Sequence, residues 1–157
     1  MDQDNQMVNG ESIETGSGQK IDVLLVEPGQ YAKMVTIDAG LESLQKAVDG
    51  YIQAVYYWDD PVALICNEEG KINGLRANRA VYDEDGELMD IIVGKFLITG
   101  LGEENFTSLP KDMQEKYGKL FHDPEAFIRL GRTVIAVPTK PDQPAEKKPR
   151  TSANKEL

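Results

Sequence analysis

The chain has 157 residues, 40% of them hydrophobic, and a formal net charge of −10; that is about one domain's length and enough apolar content to build a core, which excludes disorder throughout. The charge is uneven: residues 1–19 hold four acids and no base, residues 20–137 twenty acids and twelve bases, and residues 138–157 three acids and five bases. An acidic domain repels the phosphate backbone, so direct nucleic-acid binding is disfavoured, whereas a basic partner, or mimicry of nucleic acid toward a protein that binds it, fits.

Residues 1–19 are polar, carry Gly10, Gly16 and Gly18 and show no apolar period, so a disordered leader is expected. A single domain over residues 20–137 should follow. The β-branched run at 21–27, closed by Pro28-Gly29, predicts a strand, and 31–37 alternates well enough to be its hairpin partner. Asp38 is expected to cap a helix whose positions Leu41, Leu44, Ala47 and Val48 share a face, with Gly50 as its stop. Residues 51–58 and 62–67 read as strands about the turn Asp59-Asp60-Pro61.

Glu68-Glu69-Gly70-Lys71 is a further turn. Asp83-Glu84-Asp85-Gly86 is another, leading into a strand over 88–99 in which Gly94 marks a bulge or a close backbone approach. Leu109, Met113, Tyr117, Leu120 and Phe121 fall at helical spacing, with Ser108 as the expected cap and Pro110 in the first turn. Asp123-Pro124-Glu125 predicts a short helix over 126–130, and 133–137 a last strand. Prolines among lysines over residues 138–157 predict a disordered tail. The expected class is α+β: a mainly antiparallel sheet of five or six strands with two or three helices packed on one side.

Helix, Gly-Tyr-Ile, strand, Cys-Asn-Glu-Glu-Gly-Lys, Gly-Leu-x-x-Asn-Arg, acidic turn and Ile-Ile-x-Gly-x-Phe follow in that order. The pattern falls on Gly50, Tyr51, Ile52, Asn67, Glu69, Gly70, Gly74, Leu75, Asn78, Arg79, Ile92 and Gly94. In this the chain resembles domain-of-unknown-function family 3846, frequent in conjugative elements and phages. The likeness covers residues 22–121. Where relatives often place prolines, this chain has Arg76-Ala77. The resemblance implies a fold and a mobile-element setting and carries no activity.

Read as chemistry, residues 67–79 offer polar groups for a ligand: Asn67, Glu69, Asn73, Arg76, Asn78 and Arg79. Arginine holds carboxylate or phosphate in a two-pronged grip, and asparagine pairs with an amide or a base edge. The plainer use is that Asn78 satisfies the loop's own backbone while the arginines pair with surface acids. Tyr57 and Trp58, beside Asp59 and Asp60, are the second set, as anchors for a protein contact, or as aromatics that close the core with the Trp58 N–H reaching the turn.

Cys66 is the one cysteine and His122 the one histidine. No disulfide within the chain and no multi-cysteine zinc site can form, and a Cys–His nucleophile lacks any supporting motif. No catalytic residue, metal ligand or cofactor is assigned. The opening Met-Asp-Gln-Asp-Asn-Gln has no basic start or apolar core, and no apolar run nears the roughly 18 residues of a span. The expectation is a cytoplasmic, non-enzymatic accessory protein of a mobile element. It would bind a host or element-encoded protein, as an acidic inhibitor of a nucleic-acid-binding or defence factor. The alternative is a small-ligand module in which the Gly-Leu-Arg-Ala-Asn-Arg loop takes a nucleotide or anion.

Overall fold

The apolar run after Gln19 is β1, Lys20–Val26, in the computed structural model, which describes residues 19–143. Gly29, at φ +75°, lets the chain turn back into β2, Lys33–Asp38, paired antiparallel with β1 from Lys20↔Asp38 to Leu25↔Lys33. Then come α1, Leu41–Val48, β3, Ile52–Val55, and β4, Val62–Asn67. β5, Ala77–Tyr82, and β6, Leu88–Val93, form a separate ribbon, after which β7, Phe96–Leu101, and β8, Phe106–Thr107, rejoin the sheet. α2, Lys111–Leu120, and a second ribbon of β9, Glu125–Leu130, and β10, Thr133–Pro138, follow.

The main sheet has six strands, five in the order β2-β1-β7-β4-β3 with β8 against the end of β7. Every pairing in it is antiparallel. Ile98 sits at its centre, opposite Leu24 of β1 and Leu64 of β4. Successive side chains of a strand point to opposite faces, and here both faces are covered. Leu24, Val26, Leu64, Cys66, Phe96 and Ile98 pack with Tyr117 of α2 and with Val81 and Ile92 of the first ribbon. Ile21, Val23, Ala63, Ile65 and Leu97 pack with Leu44 and Val48 of α1. All six residues of β4 are therefore buried.

The α+β class and the antiparallel sheet stand as expected, but the helices divide between the two faces instead of gathering on one. The strand expected over 88–99 is two strands, broken where Gly94 takes φ +74° and the chain passes from ribbon to sheet. The helix expected over 126–130 is β9, which pairs along its length with β10 across a turn at Gly131, φ +64°. Its local sequence admits a helix, but the β-branched partner strand decides.

Smaller corrections concern the caps. Gly40, not Asp38, precedes α1, and Asp38 pairs instead with Lys20 at 2.7 Å. Asp49, not Gly50, takes the left-handed conformation that ends α1, at φ 65°. Ser108 caps nothing on α2; its hydroxyl accepts the Asp22 N–H. The domain also continues past 137. Thr139 N–H donates to Pro124 O, and Asp142 N–H to Gly29 O. The expected leader, residue 19 apart, and the tail beyond residue 143 lie outside the described residues.

Candidate functional site

The loop singled out from the sequence turns inward. Asn78 and Arg79 lie in β5 rather than in a polar turn, and both are fully buried. Asn78 Nδ2 donates to the carbonyls of Val26 at 3.0 Å and Gly94 at 2.7 Å, and its Oδ1 accepts from Arg79 Nη1 at 2.9 Å. Arg79 donates from Nε to Phe121 O at 3.0 Å, from Nη2 to Gln30 O at 2.7 Å and from Nη1 to Asn78 O at 3.3 Å. One guanidinium thus ties the first ribbon to the turn after β1 and to the end of α2. Burial pushes Arg79 down to about 10, opposed by the charges of Glu125 and Asp123, so it remains a cation at neutral pH. These donors are committed internally, which corrects the expectation that Asn78 and Arg79 present themselves to a ligand.

Asn67 is a second joint. Its Nδ2 donates to Val48 O and Asp49 O at 3.0 and 3.2 Å, and its Oδ1 accepts the Glu69 N–H at 2.8 Å. The end of α1 is thereby fastened to the end of β4. A Cβ on Gly50 would stand 2.7 Å from Asn67 Nδ2, so glycine there permits the contact. Leu75 likewise fills the space over Gly70 and Gly94. The family-like residues of this region are largely joints of the fold.

Of the other loop candidates, Arg76 is exposed and grips Asp142 with both terminal nitrogens, at 2.7 and 3.3 Å. That contact raises Arg76 and lowers Asp142 from their ordinary values. Glu69 and Asn73 are exposed on the rim of a shallow recess of about 280 Å³, beside Gln45, Asp49 and Tyr51. Asn67 forms its floor with its amide already engaged.

Tyr57 and Trp58 line a larger groove of about 530 Å³. Tyr56 is the outward member of the aromatic run, 57% exposed, while Tyr57 and Trp58 are half-buried. The Trp58 ring packs on Tyr117 at 4.8 Å and on Phe121 at 6.0 Å, and Tyr57 meets its edge at 5.6 Å. Tyr57 donates its hydroxyl to Asp90 Oδ2 at 2.8 Å; burial first, and then that carboxylate, raise its pKa. Tyr57 and Trp58 thus pack against the core, as that alternative has it, but the Trp58 indole N–H donates neither to the turn nor to any other described residue.

The opposite wall comes from the turn between β5 and β6. Tyr82, Asp83, Glu84, Asp85 and Met89 are exposed there, facing Asp59 and Asp60. Asp83 Oδ1 accepts the N–H groups of Asp85 and Glu87, which fixes the turn, and Gly86 completes it at φ +82°. Lys116 of α2 is the one base on the groove and pairs with Asp60. Lys116 and the Tyr117 hydroxyl hold the Asp60 carboxyl below its usual value. Among the described residues Asp59, Glu84 and Asp85 make no ion pair. The groove therefore joins three unpaired carboxylates to an aromatic floor.

Sequence reasoning found both acidic turns and the aromatic run. It missed Tyr82, Met89 and Lys116 as their neighbours, because α2 and the first ribbon reach the groove from distant parts of the chain. Cys66 and His122 do not share a hydrogen bond. Cys66 is buried, its thiol pushed up to about 11 by burial first and the Asp90 charge second. His122 stacks on Tyr31 at 4.5 Å and meets Asp123 at 2.8 Å. Among the described residues no group of three or more acidic, histidine or cysteine side chains is arranged to hold a metal ion, and no helix is long and apolar enough to cross a membrane.

The family model described as Domain of unknown function (DUF3846) matches residues 21–122. No curated protein and no solved structure matches the chain.

Proposed function

Because the chain belongs to this family, whose description names no activity, we propose its function from the groove: it is a non-enzymatic accessory protein of a mobile genetic element that holds a basic segment of a host or element-encoded protein. The carrying observation is the meeting of Asp59, Glu84 and Asp85, which have no cationic partner among the described residues, with Tyr57, Trp58 and Tyr82 around one cleft. An arginine side chain entering it can stack on an aromatic face and fork onto a carboxylate. A nucleic-acid-binding or defence factor offers such residues on the surface it uses for phosphate, so occupation of that surface would inhibit it. The mobile-element setting rests on the family resemblance. A cytoplasmic location accords with a single, buried, reduced cysteine.

The small-ligand alternative loses its main residues, since Asn78 and Arg79 donate inward and Arg76 is engaged by Asp142. A labelled octa-arginine peptide tests the preferred reading. Trp58 is the sole tryptophan, so its emission should change on binding. Affinity should fall steeply between about 50 and 200 mM salt. Asp59→Asn, Glu84→Gln and Asp85→Asn combined should weaken it at least tenfold, about 1.4 kcal/mol. Peptide binding untouched by these substitutions, or tighter binding of duplex DNA than of peptide, would sink the reading.

A further inference from the structure

We infer that this chain pairs with a second copy of itself, the tip of the β9–β10 ribbon of each copy entering the acidic groove of the other; the inference rests on the groove's being a site for a basic segment. The ribbon reverses through Gly131-Arg132, a two-residue loop that Gly131 permits at φ +64°. Ile128 lies opposite Ile135 and Leu130 opposite Thr133, so these four side chains share a face. All four are exposed, Leu130 at 57%. A two-stranded ribbon is marginal by itself in water and gains from cover on such a bare face.

Charge decides what covers it. Between Ala126 and Val137 the ribbon carries Arg129 and Arg132 and no acid, in a domain with twenty acids and twelve bases over residues 20–137. Both arginines are exposed, and among the described residues neither side chain makes an ion pair or a hydrogen bond. The groove is the complement: Asp59, Glu84 and Asp85 have no cationic partner among the described residues, and exposed Tyr82 and Met89 lie beside them. An arginine of the tip can fork onto a carboxylate and stack on Tyr82, while Leu130 and Ile128 cover the apolar rim.

The ribbon does not serve its own groove. Its root is held at both ends, where Glu125 Oε1 accepts the Ala80 N–H at 2.9 Å and Pro124 O accepts the Thr139 N–H at 2.8 Å. The tip stands about 17 Å further along at strand rise, and neither arginine lines the groove of its own copy. Each copy has one ribbon and one groove, so a two-fold pair makes the contact twice and leaves neither surface open.

Analytical ultracentrifugation of the full chain tests this with two variants, one carrying Arg129→Glu and Arg132→Glu in the ribbon, the other Asp59→Lys, Glu84→Lys and Asp85→Lys in the groove. The parent should sediment as a dimer at about 50 mM salt and as a monomer at about 0.5 M, where the Debye length falls to about 4 Å. Each variant alone should raise the dissociation constant of the dimer at least tenfold. Mixed, the two should pair with each other, since both contacts are then of opposite charge, and a misfolded variant would not. Octa-arginine should dissociate the parent dimer.

A parent that stays monomeric in low salt, or a dimer that neither variant weakens, would overturn the inference, and octa-arginine binding would then leave the proposed function standing. A dimer that needs both ribbon and groove but is indifferent to octa-arginine would support the inference and count against the proposed partner class. Growth past two copies would make the contact an open chain and overturn the two-fold form. A monomeric parent that binds duplex DNA, with binding lost in the ribbon variant, would assign the ribbon to nucleic acid and overturn it as well.

Discussion

Arg79 shows how a charged side chain becomes a structural part. It is among the largest fully buried side chains, and two of its carbonyl partners, Gln30 and Phe121, are 49 and 42 residues away in sequence. Replacing it with alanine would leave those carbonyls unpaired in the interior and open a cavity, each a large destabilisation. Arg79→Ala should lower unfolding stability by about 3–5 kcal/mol, read from urea midpoints. Arg79→Lys should recover only part of it, because an ammonium cannot reproduce the planar fork. Arg76→Ala, which breaks an exposed pair, should change stability by less than about 1 kcal/mol. The sequence marks both arginines alike, as cations in a polar stretch. Only distant backbone carbonyls distinguish them, and no local pattern encodes those.

Glycines carry the corresponding lesson for the elements. Gly94 could be read from the sequence as a place of close approach, and it is one: a Cβ there would lie 2.6 Å from Leu75 Cδ1. What the local pattern hid is that the chain also changes layers at Gly94. The apolar run continues on both sides, because β6 buries Ile92 against the same core that β7 enters with Phe96. Gly86 has a similar φ, +82°, but open space around it. Gly86→Ala should therefore cost about 1 kcal/mol, the left-handed backbone term alone. Gly94→Ala should cost about 2–4 kcal/mol, since overpacking adds to it. Leu75→Ala in the Gly94→Ala background should return part of that loss, as a double-mutant cycle in thermal or urea unfolding would measure. The expectation of a helix where β9 stands has the opposite origin. Ala126 to Leu130 satisfy either period over so short a span, and the pairing from Thr133↔Leu130 to Pro138↔Glu125 settles it.

For the molecule as a whole, the acidic excess sets two responses of opposite sign. The residues that create the groove's field also repel one another in the folded state, so moderate salt should raise the melting temperature even as it weakens peptide binding. Acid separates the carboxylates further. Burial alone would raise the Asp90 pKa, but Lys71, Tyr57 and the Ile91 N–H outweigh it and hold the group below 3.8. Lys116 and Tyr117 similarly hold Asp60 below 3.8. A depressed folded-state value means that the stabilisation is complete above pH 3.8 and is lost as pH falls through the folded pKa. Glu125 behaves in reverse. Burial raises it above 4.5 despite the Ala80 N–H and Arg79, so ionising it costs stability, and protonation as pH falls toward 4.5 relieves that cost. The melting temperature should therefore hold or rise as pH is lowered from 7 toward 4.5, then drop below 3.8. Asp90→Asn should melt lower than the parent at pH 7, and the gap between them should narrow below 3.8, where the parent carboxylate is itself protonated. A melting temperature that fell steadily from pH 7 to 5, or a gap that widened in acid, would contradict this assignment of the two kinds of carboxylate.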